Sequence, residues 1–91
     1  MQLTQRDLDH FRATPIERSP DGCWIWRGDV RPGRGPVLRI HKQAQRGLLA
    51  SAKEISWQLQ NGHVPMDQQP VSTCSNDLCI NPAHMVLVPL V

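Results

Sequence analysis

Cys74, Cys79 and His84 fall within eleven residues near the end of the chain. Asn76-Asp77 lies between the two thiols and Asn81-Pro82 follows them. Both pairs favour turns, so the three side chains can converge. This is the pattern of a metal knuckle that lacks one ligand, and Cys23 is the only other cysteine. Zinc takes four nitrogen or sulfur ligands in a tetrahedron. Cys23, Cys74, Cys79 and His84 are therefore the expected set, holding one zinc per chain. With every position filled by protein, that zinc is structural rather than catalytic. Two alternatives stand beside this reading. One is a chance grouping, with Cys23 a core thiol and His84 a surface residue. The other is a Cys74–Cys79 disulfide. The four-residue gap between those cysteines is wider than the CxxC of most fingers, so spacing alone does not decide.

The chain has 91 residues, which implies a single domain over 1–91. A chain this short buries a modest core, and such domains commonly need a metal or disulfides as a staple. Three cysteines is an odd number, which speaks against a disulfide framework. No apolar run reaches membrane length, and residues 1–7 are too polar for a signal peptide. No membrane association is expected, and a reducing intracellular compartment is.

The expected fold class is α+β, with short antiparallel hairpins and two short helices. Eight prolines and six glycines keep the elements short. Residues 4–14 read as a helix, with Thr4 as N-cap, Asp7 in the capping-box position, and Leu3 and Leu8 placed as a hydrophobic staple. Leu8 and Phe11 share a face, and Pro15 ends the pattern. Residues 16–22 read as a loop closing on Asp21-Gly22. Residues 23–26 are aromatic and β-branched, so strand-like. Alternation puts Cys23 and Ile25 on one face and Trp24 and Trp26, expected core residues, on the other. Residues 28–36 read as a basic loop, without phosphate-loop glycine spacing. Residues 37–41 and 48–50 read as the strands of a hairpin with a polar turn over 42–47. Residues 52–61 make the clearest helix: Ser51 and Glu54 cap it, Ala52, Ile55, Ser56 and Leu59 share a face, and Asn61-Gly62 stops it. A polar loop over 66–70 leads into a short strand at 71–73, and residues 85–91 are apolar and extended. His10, His41 and His63 are scattered and are expected at the surface.

The net charge of +2 hides an asymmetry. All ten basic residues lie between Arg6 and Lys53. Arg27, Arg31, Arg34, Arg39, Lys42, Arg46 and Lys53 face a single acid, Asp29, over residues 27–53. Residues 54–91 hold three acids and no lysine or arginine. The positive field thus belongs to one stretch, the expected hairpin.

Three stretches together resemble the His-Me finger nucleases, the HNH-type ββα-metal group. The likeness is nearest to the zinc-stapled small HNH proteins of phages and the His-Cys box homing endonucleases. The stretches are Gly22-Cys23-Trp24-Ile25-Trp26-Arg27-Gly28, then residues 51–65 from Ser51-Ala52-Lys53-Glu54 to His63-Val64-Pro65, then 71–74 with Cys79-Ile80-Asn81-Pro82-Ala83-His84-Met85. They run in family order over an expected core of 22–88, preceded by an N-terminal helix and loop at 1–21. The resemblance implies structural zinc on the same four residues and a basic hairpin lying against DNA. Where the family has its general-base histidine, two residues before the first knuckle cysteine, this chain has Ser72. A hydroxyl cannot replace imidazole as a base near neutral pH. The magnesium-binding helix that follows the knuckle in the His-Cys box enzymes has no counterpart here. Asn81 is expected to shape the Asn-Pro turn rather than bind a catalytic metal. Glu54, His63 and Asp67 could supply a base only if folded near Ser72.

The expected function is a non-catalytic, zinc-stapled HNH-like module. It would bind double-stranded DNA through Arg27, Arg31, Arg34, Arg39, Lys42, Arg46 and Lys53, as a regulator of a phage or mobile element in the cytoplasm of a bacterial host. The alternatives are a small inhibitor or adaptor that binds a host protein, such as a nucleic-acid enzyme, and an active nicking endonuclease with a rearranged centre.

Overall fold

The computed structural model describes residues 4–42, 45–74 and 76–90, with backbone alone at 41–42 and 45–48. The described residues form two α-helices, one short 3-10 helix and seven short strands, all paired antiparallel. The fold is α+β.

Helix α1 (Gln5–Ala13) begins at a full capping box. The Thr4 hydroxyl accepts from the Asp7 N–H at 3.1 Å, and the Asp7 carboxylate accepts from the Thr4 N–H at 3.1 Å. Two helix-end donors that would otherwise be orphaned are satisfied this way. The staple partner Leu3 lies outside the described residues. Phe11 projects from α1 into the core and stacks on Trp26, with ring centroids 5.6 Å apart.

Strand β1 (Ile16–Arg18) pairs with β2 (Trp24–Trp26), in the register Ile16↔Trp26 and Arg18↔Trp24. The sequence predicts a loop over 16–22, but only 19–22 turns. Three residues carrying Glu17 and Arg18 show no strand pattern of their own; pairing with β2 makes them one. The turn closes by Gly22 N–H to Ser19 C=O at 3.0 Å, with Gly22 at φ +90. A side chain is strained there, and glycine is not.

Residues 28–36 also hold a short strand where a loop is expected. Strand β3 (Val30–Arg31) pairs with the start of β4 (Gly35–Lys42). Strand β4 pairs in turn with β5 (Gln45–Ser51) from Val37↔Ser51 to Ile40↔Leu48, then shifts register to Lys42↔Gln45. Both hairpin strands are longer than predicted. The residues between them, 43 and 44, lie outside the described set. On β4, Leu38 and Ile40 are buried while Arg39 between them is exposed.

Helix α2 (Ala52–Asn61) follows β5 with no linker. Ser51 ends the strand and caps the helix, its hydroxyl accepting from the Glu54 N–H at 3.3 Å. Ala52, Ile55 and Ser56 are buried as expected, whereas Leu59 is 45% exposed. The helix is packed along its first two turns and projects beyond that. Strand β6 (Gln68–Ser72) starts earlier than predicted and pairs with β7 (Met85–Pro89) through five residue pairs. The predicted polar loop over 66–70 therefore yields its last three residues to the strand.

The core gathers Phe11, Trp26, Leu38, Ile40, Ala50, Ala52, Ile55, Ile80 and Met85, with Ile16, Trp24 and Trp57 against its edge. Both helices, strands β2, β4, β5 and β7, and the knuckle at Ile80 each send at least one side chain into it. No helix among the described residues is long and apolar enough to cross a membrane.

Ile55 is fully buried and Leu59 is not, so the two truncations should separate. Ile55→Ala should cost about 2–5 kcal/mol and Leu59→Ala within about 1 kcal/mol, read as denaturant midpoints of the metal-loaded protein.

Candidate metal centre

The four predicted ligands converge. Each of Cys23, Cys74, Cys79 and His84 offers one donor atom, and the four atoms all lie within 4.8 Å of one another. The Cys23 and Cys74 sulfurs are 3.5 Å apart. His84 Nδ1 lies 3.6 Å from the Cys23 sulfur and 3.6 Å from the Cys79 sulfur. All three cysteines are free thiols. A disulfide brings its sulfurs to about 2.05 Å, so the Cys74–Cys79 alternative is not what the chain adopts. Cys23 and His84 do not lie apart in the core and at the surface: both contribute donor atoms to the cluster.

Each ligand is placed by backbone hydrogen bonding from its own segment. Cys23 follows the β1–β2 turn, and its N–H donates to the Ser19 hydroxyl at 3.2 Å. Cys74 leaves the end of β6. Cys79 is set by an Asn turn: the Asn76 side chain accepts from the Leu78 N–H at 2.9 Å, and the Asn76 carbonyl accepts from the Cys79 N–H at 3.1 Å. His84 ends a short 3-10 helix (Pro82–His84) capped by Asn81. The Asn81 side chain accepts from the Ala83 N–H at 3.0 Å and donates to the Gly22 carbonyl at 2.7 Å. It thus shapes the Asn-Pro turn, as expected, and also ties the knuckle to the Cys23 turn. Thr73 holds the far side, its N–H and its hydroxyl both donating to the His84 carbonyl, at 2.6 and 3.0 Å. Supports of this kind fix ligand orientation.

The knuckle is also annealed to β2. Ile25 and Cys79 form a β-bridge. Trp26 N–H donates to Leu78 C=O, and Ile80 N–H to Trp24 C=O, both at 2.8 Å. From the other side, the buried Ser56 hydroxyl of α2 donates to the Ile80 carbonyl at 2.6 Å. The cluster is therefore built into the core, with Cys79 and Ile80 fully buried.

The electrostatics fit a cation site. Burial pushes the Cys23 thiol up to about 12, and the neighbouring Cys74 and Cys79 add to the rise. Cys74 moves down to about 7: burial opposes this, but the backbone of Asn76 and hydrogen bonds with Cys23, Cys79 and His84 outweigh it. Buried beside its neighbours, the Cys23 thiol holds its proton well above neutral pH. A divalent cation among them would reverse this, because a coordinating thiol is deprotonated outright. Three sulfurs and one nitrogen suit a structural metal and leave no ligand position for water.

The position where the resemblance places a catalytic base is occupied otherwise. The Ser72 hydroxyl donates to the Cys79 carbonyl at 3.0 Å. Glu54, His63 and Asp67 make no hydrogen bond to Ser72 among the described residues. Glu54 lines a different cleft, with Gln68 and Pro70.

The seven cations do not behave as one group. Arg31, Arg34 and Arg39 are exposed on the β3–β4–β5 sheet and its first turn. Arg34 donates to the Leu49 carbonyl at 3.3 Å. Arg27 is exposed too, but it pairs with Glu17 beside the β1–β2 hairpin. Lys53 is half-buried in the first turn of α2. The side chains of Lys42 and Arg46 lie outside the described residues. The sequence reading missed Arg18, which sits over the Trp24 ring at 5.2 Å; nothing in the local sequence marks it.

A scan against protein-family models, a search of curated proteins and a search of solved structures each return no match for this chain.

Metal removal should unfold the domain, because the metal's binding energy becomes folding energy. Chelation or Cys79→Ser should abolish the cooperative thermal transition, and one equivalent of metal should restore it in the unmutated chain. Loading near neutral pH should release protons, and affinity should fall as pH falls, since protons compete for the same thiols. Titration in weak buffer with a pH indicator reads this directly.

Proposed function

We propose that this chain is a zinc-stapled, non-catalytic module of the His-Me finger kind that binds double-stranded DNA through its basic β3–β4–β5 sheet. The observation that carries the reading is the exposure of Arg31, Arg34 and Arg39 on that sheet and its turn. Arg31 and Arg39 make no ion pair among the described residues. Arginines held out by short antiparallel strands are suited to phosphates and to guanine edges, and a β-ribbon fits the major groove.

Zinc is the metal the donor set suits best. With bonds of about 2.3 Å to sulfur and about 2.0 Å to nitrogen, a tetrahedron has edges of about 3.8 Å between sulfurs and about 3.5 Å between sulfur and nitrogen. The separations of 3.5 and 3.6 Å in this cluster agree with that size. Non-catalysis is supported by two features. The four ligands close the metal's coordination shell, and Ser72 stands where the resemblance calls for a base, its hydroxyl engaged with Cys79.

A second reading, a small inhibitor or adaptor for a host protein, is favoured by one surface. Met66 is 97% and Leu90 52% exposed, and both line a cleft with Val64 and Pro65. Apolar side chains left out in this way suit a protein partner better than a polyanion.

Gel-shift titration of the metal-loaded protein over a range of salt tests the DNA reading. Affinity should fall steeply with salt, and Arg31→Gln with Arg39→Gln should flatten the log–log slope by about 2. A response to salt that is flat, or no duplex binding at low salt, contradicts it. A stoichiometric protein partner with no duplex affinity decides for the second reading. Supercoiled plasmid with magnesium or manganese should stay intact. Metal-dependent nicking that disappears on changes around Ser72 would show an active nuclease instead.

A further inference from the structure

A second site lies beside the metal knuckle, away from the basic sheet's arginines in sequence and built from different chemistry. Trp24, Gln60, Asn61, Asn81, Pro82 and Ala83 line an open cleft of about 390 Å³. That is within the range of small-ligand pockets, roughly 300–1,000 Å³. We propose that this cleft receives a single unstacked nucleobase, laid against the Trp24 indole and read by the amides around it. The proposal rests on the nucleic-acid reading above and extends it to single-stranded or locally opened strands.

Four observations carry it. The first is that Trp24 is the one tryptophan that lines this cleft; Trp26 is buried in the core. Trp24 is half-buried, and the part of its indole that lines the cleft offers an aromatic surface on which a base can stack. The second is the polar lining. Gln60 and Asn61 are exposed and close the last turn of α2. Carboxamides carry donors and acceptors side by side, which is how Asn and Gln pair with base edges. The carbonyl end of a helix adds partial negative charge, which suits the amino groups of a base and repels a phosphate.

The third is charge. Among the described residues no acid or base lines the cleft, so a neutral planar group fits it better than an anion or a cation. Arg18, exposed, holds its guanidinium over the Trp24 ring, 5.2 Å from the centroid. A base laid on the part of the indole that lines the cleft would bring its phosphate near this cation. The fourth is rigidity. The Trp24 carbonyl is held by Ile80 N–H at 2.8 Å, and Asn81 is locked to Gly22 and Ala83. The Trp24 backbone and the Asn81 side chain are thus set before any ligand arrives, so that wall adds little ordering cost to binding.

The test uses the full, metal-loaded chain and two fluorescent probes of equal length and charge: a single-stranded oligonucleotide and an abasic sugar-phosphate strand. The base-bearing strand should bind about 5- to 100-fold more tightly, the range that stacking one base on an aromatic ring covers. Ala83→Leu fills the cleft from an exposed position, so the fold is retained, and it should erase that difference while leaving duplex affinity unchanged. Gln60→Ala with Asn61→Ala should reduce the difference. Equal binding of the two strands, or a difference that survives Ala83→Leu, overturns the cleft proposal and leaves the duplex reading standing. No binding of duplex or of either strand overturns both.

Discussion

Four ligand atoms brought within 4.8 Å are the constraint on which the rest of this structure depends. Cys23 is 51 residues from Cys74 and 61 from His84. Closing a loop of that length costs conformational entropy that a domain of 91 residues has little core to offset. Structural zinc binds zinc-finger peptides with apparent free energies of about 10–16 kcal/mol. Domains as a whole are net stable by about 5–15 kcal/mol. A metal term of that size is therefore enough to decide whether the chain folds.

The cluster reaches the distant parts of the chain through two short routes. One is the pairing of residues 78–80 with β2, which carries Trp26 into the core, where Phe11 of α1 stacks on it. The other is the Ser56 hydroxyl on Ile80. That bond fixes α2, and α2 grows directly out of β5, the far strand of the basic hairpin. The Cys3His cluster and the arginines of the middle of the chain are linked in this way by a strand and a helix. The same bonds set the walls of the Trp24 cleft. Ser72, held by the Cys79 carbonyl, belongs to this framework.

The parts of this fold legible in the sequence are those whose physics is local. The capping box of Thr4 and Asp7, the Ser51 cap, the Gly62 stop and the Asn turns of the knuckle each declare themselves within four residues. The convergence of Cys23, Cys74, Cys79 and His84 was legible too, because cysteine is rare and a tetrahedral metal site needs four donors. What stayed hidden was set by partners far along the chain. Strand β1 exists because β2 lies beside it, and β3 because β4 does. Leu59 follows the helical period of Ile55, yet nothing packs over the last turn of α2 to bury it. Arg27 counts with the basic stretch in sequence, but its neighbour in space is Glu17. Periodicity reports which face a residue shares and cannot report what covers that face.

In the proposed structure of the site, three sulfurs and one nitrogen close around a metal that holds the chain together. X-ray absorption at the metal edge of the purified protein addresses it most directly. The account predicts stoichiometric zinc with three sulfur neighbours at about 2.3 Å and one nitrogen at about 2.0 Å, and no water in the shell. A folded protein without bound metal, or a shell with fewer than three sulfurs and an oxygen in its place, would contradict it.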